Sequence, residues 1–154
     1  MRHLGKLIGL SVMAAVFAAP TAAYAAAGLV DGTVTSGSTT CSWVNASTSD
    51  TPPNPLTIAG STVKTSCNDG TTLTVNNNPN VTFDDANGTA AVDAIDVTGT
   101  KFGTSCRYRA TNLVLNRSGT TRTYSGGPYT GNLVSGGFFC SGTLTVNSAS
   151  VTFH

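Results

Sequence analysis

The chain has 154 residues, with 8 Lys or Arg against 7 acids, and a formal net charge of +1. That balance supplies no surplus of cations to neutralise phosphates, which argues against a nucleic-acid binder. Only 10% of the residues are charged, so solubility must come from Thr, Ser and Asn rather than from charge.

Arg2, His3 and Lys6 make a basic start, followed by an apolar run from Leu7 to Ala19, then Pro20 and the small-residue sequence Ala23-Tyr24-Ala25. These are the parts of a secretory signal peptide spanning residues 1–25, with cleavage expected after Ala25. The run is shorter than the roughly 20 residues of a transmembrane helix, and no later segment is apolar enough to cross a bilayer. No cysteine follows it to carry a lipid anchor. The expected mature chain, residues 26–154, is long enough for one domain with a real core, and keeps six bases against seven acids. It is expected in the periplasm, at the cell surface or outside the cell.

Every acid is Asp, and Lys64 and Lys101 are the remaining lysines, so an amphipathic surface helix is hard to build. Thr and Val favour strands, and Gly and Asn favour the turns between them. The class is therefore all-β. Strands are expected at Leu29–Val34, Thr39–Val44, Leu56–Ile58, Thr62–Cys67, Thr71–Val75 and from Val81 through Phe83. The sequence from Asn45 to Pro55 reads as a loop, because prolines 52, 53 and 55 cannot sit in a central strand.

Thr89 to Asn116 reads as the organising hairpin, with its turn between Gly99 and Gly103. Its first strand sets Ala91, Ile95 and Val97 on one side, and its second sets Cys106, Tyr108 and Ala110 against Arg107 and Arg109. Strands at Thr120–Tyr124, Phe138–Val146 and Ala149–Phe153 complete the chain. The apolar phase shifts between Ala110 and Leu113 and between Val146 and Ala149, which predicts bulges or breaks near Thr111 and Asn147. Nine or ten short antiparallel strands separated by turns suggest a β-sandwich, with a β-barrel as the alternative.

Cys41, Cys67, Cys106 and Cys140 are even in number, and in an exported chain they favour two disulfides. Neighbouring strands are often sequential, so Cys41–Cys67 and Cys106–Cys140 are the preferred pairs. The spacing lacks close Cys-x-x-Cys pairs, and neither a metal nor a cofactor is expected.

His154 is the one histidine of the expected mature chain, and its terminal place leaves no base for Ser-His or Cys-His catalysis. Asp84-Asp85 with Asp93 and Asp96 would offer a glycosidase its two carboxylates. Asp84, Asp85 and Asn87 would offer calcium hard oxygens. A plain turn at 84–88 explains the first three residues better. Arg107, Arg109, Arg117 and Arg122 form either an anion patch or, the preferred reading, cross-strand partners for those Asp residues. Trp43, Tyr108, Tyr124 and Tyr129 could line a face that binds a glycan or another ligand by ring stacking, with Arg107 and Arg109 nearby.

The signal-like start, the Thr/Ser/Gly-rich strands and the ending Phe138-Phe139-Cys140-Ser141-Gly142-Thr143-Leu144-Thr145-Val146 resemble the small exported proteins called protein activator of alkane oxidation. The resemblance implies an extracellular protein that helps cells meet hydrophobic substrates, and it carries over no site residue. The leading expectation is a non-enzymatic surface or extracellular protein acting at hydrophobic interfaces or in the cell-surface matrix. The alternatives are a carbohydrate- or ligand-binding module using the exposed aromatics, and an enzyme inhibitor working through loop 45–55.

Overall fold

The computed structural model describes residues 27–154, so the expected leader and its cleavage point lie outside the described residues. The described chain is antiparallel β with two disulfides, Cys41–Cys67 and Cys106–Cys140. In order, the strands are β1 (Gly28–Ser36), β2 (Thr39–Thr48), β3 (Leu56–Thr57), β4 (Ser66–Cys67), β5 (Thr72–Val75), β6 (Asn80–Asp84), β7 (Thr89–Lys101), β8 (Thr104–Arg117), β9 (Thr123–Gly126), β10 (Tyr129–Gly136), β11 (Thr143–Val146) and β12 (Ser148–Phe153). One 3-10 turn, Gly60–Thr62, interrupts them.

All twelve strands share one hydrogen-bonded sheet. Its main path runs β3-β6-β7-β8-β9-β12-β1-β2-β4. This open sheet curls on itself. Leu56, Val81, Ala90, Leu115, Tyr124, Phe153, Val30 and Ala46 come in turn from the first eight strands of that path, and all pack into one buried cluster. Side chains so far apart along a flat sheet could not meet. The far end of β2 also touches the β3 segment through the Thr48–Ile58 bridge and the bonds Ser49 N to Thr57 O and Ala59 N to Ser47 O. Phe83, Tyr124 and Phe153 pack tilted or edge-on inside, at centroid distances of 5.3–6.0 Å.

The hairpin β7–β8 is longer than this core, and its outer half forms an arm. There β5 pairs with β7, β10 with β8, and β11 with β10. Register sets Val75, Val97, Tyr108 and Leu133 side by side across four strands of the arm, on one face.

The two expected breaks are present. Asn112 has φ 55°, and the Asp93–Asn112 position drops out of an otherwise constant ladder. Asn147 separates β11 from β12. Several expected boundaries move. The hairpin turn is Phe102–Gly103, and Gly99 lies inside β7. Ala90 and Ala94, not Ala91, are buried, because the even-numbered side of β7 is the covered one from Ala90 through Asp96. Residues 45–48 belong to β2, which shortens the proline loop at its start. Phe138 to Gly142 is loop rather than strand, and β10 falls where Gly131, Asn132 and Gly136 give a poor strand signal.

Candidate functional site

The Arg and Asp residues form local pairs. Arg107 donates from Nε and Nη2 to both oxygens of Asp96, at 2.8 and 2.9 Å. Asp85 takes Arg117 and Arg122 together, at 3.0 and 2.9 Å. Arg109, opposite Asp96 in the ladder, makes no ion pair among the described residues. Each ion pair holds its carboxyl below the usual range, Arg107 acting on Asp96 and Arg122 on Asp85. Lowered carboxylates of this kind favour a permanently ionised structural partner over a general acid, which needs the opposite shift.

The 84–88 segment is a hydrogen-bonded turn. Asn87 donates its backbone N and its Nδ2 to Asp84, at 3.0 and 2.7 Å, which lowers the Asp84 carboxyl. Asp93 is similarly held by Asn80. These contacts occupy the oxygens that the calcium and glycosidase readings would use. Among the described residues no cluster of three metal-ligating side chains occurs.

The four rings do not make a common sugar platform. Tyr124 is wholly buried, and Tyr108 nearly so, its hydroxyl donating to Ser141 O at 3.0 Å. Trp43 packs against the core, with its Nε1 buried and without a hydrogen-bond partner among the described residues. Tyr129 is half-buried and donates to Val114 O; its burial raises its pKa. Stacking on a ligand needs an open ring face, which Tyr124 lacks inside the core cluster and Tyr108 lacks on the arm, where it lies between Val97 and Leu133. The remaining proline loop, residues 49–55, is braced by Asp50, whose carboxylate accepts from Thr51 N and from Asn54.

Open rings occur elsewhere. Phe102, Phe138 and Phe139 are 95%, 97% and 85% exposed. Phe102 sits at the tip of β7–β8 in a two-residue turn with Gly103, at φ 49° and 77°. Both left-handed values suit the tight hairpin turn that matches strand twist. Gly103 adopts its value freely. A bulky Phe does so at a cost of about 1 kcal/mol, where Asn or Gly would be ordinary.

Phe138 and Phe139 lie in the β10–β11 loop, edge-to-face at 5.7 Å. Gly136 at the end of β10 is opposite Cys106 in the ladder, and Cys140 is bonded to Cys106. Only Gly103, Thr104 and Ser105 separate Cys106 from Phe102, so both loops leave the arm at the same end of β8. The loop is pinned further by Cys140 N to Gly137 O, Leu133 N to Gly142 O and the Tyr108 contact. Sequence reading missed this tip because two adjacent Phe look like strand. The signals available were Gly136-Gly137 before them and Phe102-Gly103 in a turn.

The chain matches no family model, and comparisons with curated proteins and with solved structures likewise find no match.

Proposed function

We propose that this is a non-enzymatic exported protein of the cell surface or its surroundings that works at hydrophobic interfaces. The observation that carries this reading is the group of almost fully exposed rings on two loops at one end of the arm: Phe102, Phe138 and Phe139. Exposed apolar groups gathered in a patch mark interaction sites, because leaving them in water is unfavourable unless a partner removes them. Two disulfides support an oxidising compartment. No helix among the described residues is long and apolar enough to cross a membrane.

The test has two parts. The native host is fractionated with and without hydrocarbon as carbon source, and the purified protein is measured by pendant drop at an oil–water interface. Protein at the surface or in the medium that lowers interfacial tension is the expected result. Periplasmic protein without surface activity overturns the reading.

A further inference from the structure

We propose that the Phe102 turn and the Phe138–Phe139 loop form one anchor that inserts into the hydrocarbon edge of an electrically neutral phospholipid bilayer. This rests on the interfacial reading above and names the partner. Three almost fully exposed rings stand on two loops at one end of the arm. Projecting tips offer no groove for a rigid partner to fill, whereas a fluid phase closes around any convex shape.

Charge selects the kind of lipid. Across residues 97–106 and 134–142, Lys101 is the only charged side chain, and its ammonium is held by Asp69 at 2.6 Å. A tip of that composition has little to attract anionic headgroups, so insertion rests on apolar burial and is insensitive to salt. Ser105, Ser135 and Ser141 stand exposed just behind the rings. Their hydroxyls fit the headgroup zone above the hydrocarbon, which an oil surface lacks. The disulfide and loop hydrogen bonds fix the rings in place beforehand, so little ordering is left for the membrane to impose.

The experiment uses the disulfide-intact protein and sedimentation with phosphatidylcholine vesicles at low and high salt, with anionic vesicles and hexadecane droplets alongside. The proteins compared are wild type, Phe102→Ser, Phe138→Ser/Phe139→Ser, the triple variant and Val44→Ser, each checked for fold by circular dichroism. A buried Phe side chain corresponds to roughly tenfold or more in partition. The double variant is therefore expected to lose about a hundredfold, while Val44→Ser binds as wild type and salt changes nothing. If the double and triple variants bind like wild type, the anchor is overturned and the interfacial reading stands. If wild type adsorbs to hexadecane but not to vesicles, or needs anionic lipid, the bilayer assignment is overturned and the interfacial reading again stands. If rings drive self-association in analytical ultracentrifugation and vesicles bind nothing, a second copy replaces the bilayer. Absence of adsorption to either phase removes both.

Discussion

Arg107 grips Asp96 diagonally across β7 and β8: the residue directly opposite Asp96 in the ladder is Arg109, yet both oxygens of Asp96 are taken by Arg107. Asp96 is 3% exposed. Asn76 adds a bond from its Nδ2 to Oδ1 at 2.9 Å and one from its backbone N to Asp96 O at 2.8 Å. Asn77 accepts from Asp96 N and donates to Ala94 O. This network ties the β5–β6 turn to β7. Asp96→Ala removes the acceptor of the Arg107 guanidinium and of Asn76 Nδ2, while the Asn77 bonds to the backbone survive, and is expected to cost about 2 kcal/mol, read as a shift in the urea midpoint. An unchanged midpoint would show that water replaces the carboxylate without loss.

The same carboxylates set the acid limit. Six of the seven Asp residues are lowered in the fold: Asp31 by Asn45 N and His154, Asp69 by Lys101, Asp84 by Asn87, Asp85 by Arg122, Asp93 by Asn80 and Asp96 by Arg107. A group lowered on folding binds more protons when unfolded, so its stabilisation is complete above the unfolded value and is lost as pH falls through the folded one. Tm is expected to change little from neutral pH down to about 5 on the carboxylates' account and to fall progressively below about 4. Asp96→Asn should flatten part of that fall. A Tm that rises on acidification would contradict the pairing.

Much of the fold was legible in local signals. The alternation along 89–116, the Gly103 turn and both phase shifts were readable because half-buried strands expose their period directly. The covered side of β7 was not, because Ala90, Ala91 and Ala94 are equally small while Ile95 and Val97 point to the odd-numbered side, and the side actually buried from Ala90 through Asp96 includes a carboxylate. β10 was hidden by its glycines: Gly131 and Gly136 weaken strand propensity, and their place opposite β8 and β11 is a tertiary fact. The paired Arg and Asp residues followed from charge pattern. The Phe tip did not, since a Phe in a left-handed turn and two in a loop contradict propensity.

Gly32 lies opposite Trp43 in the β1–β2 ladder, and a Cβ built there would overlap the indole ring. The neighbouring bulge between Val30 and Gly32, with Asn45 at φ 56°, shapes the strand around that contact. Gly32→Ala forces either the ring or the backbone aside and is expected to cost about 1–3 kcal/mol. Trp43 is the single tryptophan, so its fluorescence reports both the local shift and unfolding. A spectrum and midpoint identical to wild type would mean the ring is free to move.

Each disulfide restrains a large loop, with sequence separations of 26 and 34. The chain-entropy relation gives about 3.5 kcal/mol for each, as a model-dependent figure. The two should differ in consequence. Cys41 and Cys67 face each other on β2 and β4, Cα atoms 4.0 Å apart, so replacing both by Ala should loosen the β4 edge and leave the Phe tip in place. Replacing Cys106 and Cys140 by Ala should instead free the 137–142 loop. Hydrogen exchange is expected to rise in 133–142 in the second variant only. Equal protection in both would show that the loop's hydrogen bonds suffice.

Phe102 is a single position at which stability and the proposed adsorption can be read separately. Its backbone sits at φ 49° in a turn where Asn or Gly is unstrained, and its ring is almost wholly in water. Within the isolated fold the ring meets the exposed Lys101 ammonium, 5.5 Å from its centroid, which offsets only part of the backbone strain. Phe102→Asn should therefore stabilise the protein, by about 1 kcal/mol, while preserving the hairpin. It should also lower adsorption to an apolar phase by about tenfold, because one of the three exposed rings is gone. The two readouts are a denaturation midpoint and a vesicle or oil-droplet partition coefficient on the same preparation. Opposite movement of the two is the expected signature of a residue kept at the tip for its contact with a partner. Loss of stability together with unchanged adsorption would instead make Phe102 a structural residue of the turn.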